Sequence, residues 1–250
     1  MLEAKKNAGL NSNQIKTIAI IAMTVDHLTW VLFPGFNTAW YVLCLHVIGR
    51  LTAPIMWFFI AEGYHHTRDV KKYILRLFIF AVISHFAYDF AFGIPMLPLS
   101  TGIFNQTSVM WSLAWSVVLM VICESGKVPQ WGKIIAIIAI CLISFPSDWS
   151  CIAVMAPYFI MINRGKFKNQ ALAIVVWSAV YAAVYFIFQD KVYGLLQMFT
   201  FLTIPILSKY NGQRGSWKGM TWLFYIYYPA HLVVIGIIRL CLHGDIPLIF

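Results

Sequence analysis

The sequence predicts an all-α polytopic membrane protein, a bundle of about nine transmembrane helices with the amino terminus in the cytoplasm and the carboxyl terminus outside. Three observations carry this prediction. The 250 residues are 61% hydrophobic and only 11% charged, with a mean hydropathy of +0.77, whereas a soluble domain is about half apolar and a quarter charged. The apolar residues gather in nine runs, at 15–34, 41–63, 73–92, 106–123, 133–146, 150–163, 171–188, 192–208 and 220–243. Most of these approach the roughly 20 residues that a helix needs to cross a bilayer core. Finally, the basic residues concentrate on alternate connections.

The first run follows a polar stretch with Glu3, Lys5, Lys6, Asn11 and Asn13 and has no small-residue cleavage site. It therefore reads as a retained helix and not as a signal peptide. The connection after the second run, HHTRDVKK, holds Arg68, Lys71 and Lys72, and the one after the fourth holds Lys127 and Lys133. Runs five and six are short and separated by FPSDWS, so they read as tilted, re-entrant or broken at Pro146. Arg164, Lys166 and Lys168 follow run six, and Lys209, Arg214 and Lys218 follow run eight. The intervening connections carry only Lys191, beside Asp148, Asp190 and Asp245. Cationic loops stay on the cytoplasmic side, which sets the orientation and gives the net charge of +9 a topological cause in place of nucleic-acid binding. The five cysteines are scattered without disulfide or metal-ligand spacing. No internal repeat or soluble domain interrupts the chain, so residues 1–250 read as one membrane domain, with no metal site expected.

Chemistry is sought among the polar groups that the apolar runs enclose. A charge at mid-bilayer costs about 2.5–3.5 kcal/mol on insertion scales, so each needs a partner or a wet cavity. Asp26 and His27 lie in run one, Arg50 in run two, Arg76, His85 and Asp89 in run three, and His231 in run nine, with Glu62 and Arg239 near run ends. His27 is twelve residues past Ile15, about 18 Å along a helix rising 1.5 Å per residue. Arg50, His85, Asp89 and His231 fall near the same layer, a set able to take and give protons. Adjacent residues on a helix point about 100° apart, so Asp26 is expected to pair with Arg50 or His85 on a neighbouring helix. Glu62, His65, His66, Arg68 and Arg76 form a second layer at the cytoplasmic mouth, suited to a phosphate-bearing ligand. His65 and His66 also read as solvated loop residues. Pro229, inside LFYIYYPAH, reads either as a kink beside His231 or as part of an interfacial aromatic belt.

The stretches IKTIAIIAMTVDHLTWVLFP, LHVIGRLTAPIMWFFIAEGYHHTRDVKKYILRLFIFAVISHFAYDFAF and WLFYIYYPAHL resemble the TraX family of integral membrane proteins, whose namesake is associated with amino-terminal acetylation of F-pilin. That family is similar in turn to the wider transmembrane acyltransferases, in which an arginine, ten residues and a histidine share the first helix. Lys16, ten residues and His27 stand in that arrangement here, the lysine keeping the cation but not the bidentate geometry. The resemblance implies acyl transfer from a cytosolic acyl-CoA, acetyl-CoA foremost, to an amine or hydroxyl of a protein terminus, sugar or small molecule in the bacterial cytoplasmic membrane or outside it. It implies His27 as the general base, Asp26 as the residue that orients or charge-balances the site, and Arg50, His85 or Tyr228 as oxyanion stabilisers, with His231 also among the catalytic residues. Lys16, Glu62, His66, Arg68, Lys72 and Arg76 would receive the CoA, and Asp89 and Asp148 the acceptor. Direct transfer and a transient acyl-histidine are both open. A proton-coupled small-molecule transporter using the same Asp/His/Arg layer is the rival reading.

Overall fold

A computed structural model of the chain describes residues 9–97, 99–100 and 102–248; Glu3, Lys5 and Lys6 lie outside the described residues. Among the described residues eleven α-helices follow one another: α1 Ser12–Leu32, α2 Trp40–Gly49, α3 Thr52–His66, α4 Val70–Phe92, α5 Val109–Glu124, α6 Gln130–Ser144, α7 Ile152–Ile162, α8 Phe167–Phe188, α9 Lys191–Leu196, α10 Ile204–Leu207 and α11 Met220–His243. A 3-10 segment, Gln197–Thr203, joins α9 to α10. Among the described residues there are no strands, only two isolated bridges, Leu10 with Tyr210 and Thr107 with Ser147.

Every apolar run is helical, but five segments are long and apolar enough to cross a membrane: Ser12–Leu32, Trp40–His66, Val70–Phe92, Phe167–Phe188 and Met220–His243. The other four runs form shorter apolar helices. The 15 residues of α6 reach about 22 Å and the 11 of α7 about 16 Å, short of the roughly 30 Å of a hydrocarbon core.

Proline explains two of the breaks. Run two divides at Arg50 and Leu51 because Pro54, in the first turn of α3, has no N–H to give the carbonyl of Arg50 four residues back. Run eight tightens into 3-10 geometry before Pro205 in the same way, and the tightened turn starts at the buried Gln197. In both cases the irregular backbone presents a polar side chain to the interior.

Hydrogen bonds gather several connections at one end of the bundle. Ser12 N–H donates to the Gln213 carbonyl, and Leu10 N–H to that of Lys209. Arg164, between α7 and α8, pairs with Glu62 near the end of α3 at 2.9 Å. Tyr64 donates to Glu124 at the end of α5. The connections gathered here are those rich in lysine and arginine. The carboxyl ends of α4, α6 and α8 and the amino ends of α5 and α7 form the opposite end.

Candidate active site

Asp26 and His27, neighbours on α1, turn to different helices, as the 100° step of a helix requires. Asp26 meets α2: both its oxygens accept from Arg50 Nη2, at 2.7 and 2.6 Å, and Oδ1 lies 2.9 Å from His46 Nδ1. The Arg50 guanidinium is held further by Nη1 to Gln197 Oε1 at 2.7 Å and Nε to the His46 carbonyl at 3.3 Å. Trp149 lies against it, its ring centre 5.7 Å from Cζ. Pairing and hydrogen bonding together are what make a buried ion pair tolerable.

The close approach of α1 and α2 depends on Gly49, where a Cβ would land on the Asp26 carboxylate. A Gly49→Ala chain must push α1 away or break the ion pair. We expect a loss of about 1–3 kcal/mol, read as a lowered midpoint in thermal unfolding, while Gly165→Ala, with open space around it, serves as a comparison for backbone strain alone.

His27 faces α11 and α4. Its Nδ1 is 2.8 Å from His231 Nε2, the two rings stack 5.1 Å apart at 10°, and Phe92 meets His27 edge-on. His231 Nδ1 is 3.0 Å from the Tyr227 carbonyl. A carbonyl oxygen only accepts, so His231 Nδ1 carries a proton, and in a neutral ring its Nε2 then accepts from His27 Nδ1–H. The lone pair of a neutral His27 therefore stands on Nε2. A free ring nitrogen with a hydrogen-bonded partner on the other is the geometry a general base requires; the partner of His27 is His231, while Asp26 pairs with Arg50 and His46. Tyr228 approaches both rings, at 6.4 Å from His27 and 5.5 Å from His231.

Two small, adjoining lobes of about 40 Å³ each share Asp26, His27, Arg50, Asp148 and Trp149 in their walls. One adds Met56 and Tyr228, the other Tyr88, Phe92, Tyr181, Tyr185 and Gln197. Asp148 and Trp149 arrive in the FPSDWS turn, tied down by Asp148 N–H to the Thr107 carbonyl at 2.8 Å and Gln106 N–H to that of Pro146 at 2.7 Å. Trp149 and the following Ser150 are left-handed, with φ of 61° and 47°, a conformation costing about 1–3 kcal/mol for each such residue. The surroundings impose it: the Trp149 ring stacks on Tyr181 at 4.5 Å and meets Trp57 edge-on at 5.3 Å. In this turn, between α6 and α7, burial pushes the Asp148 carboxyl up to about 7, against the pull of Arg50.

A larger cavity of about 420 Å³ opens at the basic end, lined by Lys16, Glu62, His66, Arg76 and Arg214 among others, and it shares Met56 with the first small lobe. Glu62 is engaged by Arg164 and His66. Among the described residues no carboxylate lies within ion-pair distance of Lys16, Arg76 or Arg214. Aromatic rings attend Lys16 and Arg76 instead: Phe59 at 5.1 Å from Lys16 Nζ and Tyr225 at 5.2 Å from Arg76 Cζ.

The structure thus gathers Asp26, His27, Arg50, Asp148, Tyr228 and His231 at one centre, and Lys16, Glu62, His66 and Arg76 around the basic vestibule. His85 and Asp89 lie apart from both: His85 contacts Thr107 Oγ1, the Met96 carbonyl and, at 3.3 Å, Asp89. Exposed Arg68 and Lys72 are outside the vestibule wall, Lys72 pairing with Asp69 at 3.5 Å. Among the described residues no group of three or more His, Cys, Asp or Glu side chains is placed to hold a metal ion. Residue typing along the sequence passes over His46, Trp149, Tyr181, Tyr185, Gln197 and Arg214.

The sequence profile described as TraX protein matches residues 11–239. The chain belongs to the TraX family. The match takes in the Asp26–His27 pair, Arg50, the FPSDWS turn and His231, so both the centre and the vestibule lining lie within the matched residues. The chain is also similar to a probable fimbrial assembly protein FimC, serogroup H1, of Dichelobacter nodosus, 27% identical over 241 residues that cover 92% of this chain and 96% of the relative. No solved structure matches it.

Proposed function

We propose that this TraX-family protein transfers an acyl group, acetyl foremost, from a cytosolic acyl-CoA to an amine or hydroxyl acceptor in or beyond the cell membrane, with His27 as general base. The observation that carries the reading is the hydrogen-bond chain His27–His231–Tyr227, which leaves a basic nitrogen at a small buried chamber adjoining a vestibule of unpaired cations. The family's association with pilin acetylation and the relative's fimbrial assembly name agree with it and suggest a pilus-related role.

Lys16, Arg76 and Arg214 would hold the phosphates of the donor, since they face a cavity large enough for a ligand and lack carboxylate partners. As the basic end, the vestibule is the cytoplasmic end by the charge rule. A pantetheine arm passing Met56 brings a thioester to His27. His27 Nε2 takes the proton of the acceptor as its nitrogen or oxygen bonds to the carbonyl carbon. Positive charge then rises on the ring, and His231 Nε2, accepting from Nδ1–H, stabilises it. Tyr228 O–H and the second Nη1–H of Arg50, whose charge is balanced by Asp26, offset the negative oxygen. The carbon–sulfur bond breaks, His27 returns the proton to the leaving sulfur, and CoA and the acylated acceptor result. Two lobes of about 40 Å³ have room for an acetyl and not for a long acyl chain.

Purified protein in nanodiscs, given acetyl-CoA and a primary amine, should release CoA and acetylated amine in equal amounts. Proton flux driven by a solute without CoA would instead favour transport. Arg76→Ala should raise KM for acetyl-CoA about 10- to 150-fold, because one charged hydrogen bond contributes about 1.5–3 kcal/mol, with smaller change in kcat.

A further inference from the structure

A third cavity, of about 90 Å³, adjoins the inner chamber on the side away from the vestibule. Asn105, Tyr181 and Tyr185 line both it and the second lobe, so the two spaces are neighbours through those side chains. Beyond them its wall is almost wholly carbon: Phe104, Phe145, Ile152, Val180 and Val184. It lies where α6 and α8 end and α7 begins, opposite the end that bears Lys16 and Arg214. Cys151 is in its wall, with the Cys141 thiol as a hydrogen-bonding neighbour.

We propose that this cleft is the acceptor port and that it takes an apolar substituent carried next to the acceptor nucleophile. The proposal rests on the acyltransferase reading for what the substituent brings; the cleft's taste for hydrocarbon does not. Two arrangements point the same way. The cationic vestibule serves one end of the chamber and would hold a charged donor, which leaves the carbon-lined opening for the second substrate. A hydrocarbon group seated between α7 and α8 sets a nucleophile at its inner end beside Tyr181, Tyr185 and Asp148, one chamber width from His27. Burial of each methylene there contributes about 0.8 kcal/mol, so affinity should climb with chain length until the cleft is full.

The test reads Cys151 directly. The full-length protein in nanodiscs is treated with a maleimide, and labelling at each cysteine is followed by peptide mass spectrometry in the presence of ethylamine, hexylamine, octylamine, glycinamide or leucinamide. Octylamine or leucinamide at ten times its dissociation constant should slow Cys151 labelling about tenfold, while ethylamine and glycinamide leave it unchanged. Protection by octylamine alone marks a lipid-like chain, and protection by leucinamide a peptide terminus. Val184→Trp should fill the cleft and abolish the dependence on chain length. Cys151 labelling at one rate with every amine overturns the port, and the wild-type measurement needs no variant to fold. If octylamine protects Cys151 but no CoA is released from acetyl-CoA, the port stands and the acyltransferase reading falls. If CoA is released equally with ethylamine and octylamine and Cys151 stays unprotected, the reverse holds.

Discussion

A His27→Ala chain is expected to fold, to bind acetyl-CoA with unchanged affinity, and to lose about 10²- to 10⁴-fold in kcat, the range that a positioned general base supplies. Folding should survive because His27 contributes one side-chain hydrogen bond, to His231, and no ion pair. Donor affinity should survive because the cations of the vestibule are a separate group of residues. The loss should appear in kcat and kcat/KM alike, as for an interaction made only in the transition state. His231→Ala should give a smaller loss of the same kind, since the base remains but its tautomer and orientation do not. Rates are followed by CoA release and mass-detected product.

The second large effect concerns the ion pair beside that base. Asp26→Ala leaves Arg50 buried with a carbonyl and an amide for company, and Arg50→Ala leaves Asp26 with His46 alone. Each single change should cost about 3–5 kcal/mol of stability, the usual consequence of leaving one charge of a buried pair uncompensated. The double variant should cost well below the sum, because neither charge is then stranded. Thermal unfolding of the three chains in one detergent supplies the cycle. Additive losses would show that the 2.6 Å contact between Arg50 and Asp26 contributes no coupling, and the pair would lose its place as the frame on which the chamber is built.

Hydropathy found each helical run because period and length are local properties, and among the described residues five segments have the length to cross a membrane while four runs form shorter helices, a difference set by breaks such as Pro205 and the FPSDWS turn that run length alone does not show. Asp26, His27, Arg50 and His231 were legible from the cost of burying charge. Depth along a helix places residues in a layer and says nothing of azimuth, which is why His85 and Asp89 seemed to join them, whereas His85 meets Thr107 and Met96 and Asp89 lies beside His85. His46 carried a usable signal, standing four residues before Arg50 in the same apolar run and so on the same helix face. Trp149, Gln197, Tyr181 and Tyr185 carried none, since aromatic and amide side chains in apolar runs are ordinary until a fold turns them inward. Arg214 sat among loop cations, and only its bond to Thr221 and its place in the vestibule wall separate it from Arg68 and Lys72.

The most direct test is an experimental structure of the protein with a non-hydrolysable acetyl-CoA analogue. Phosphates are expected on Lys16, Arg76 and Arg214, the pantetheine arm alongside Met56, and the acyl carbon within reach of an acceptor hydrogen-bonded to His27 Nε2. An analogue bound with its acyl end outside the chamber of Asp26, His27 and Tyr228, or held by none of the three cations, would contradict the acyltransferase reading.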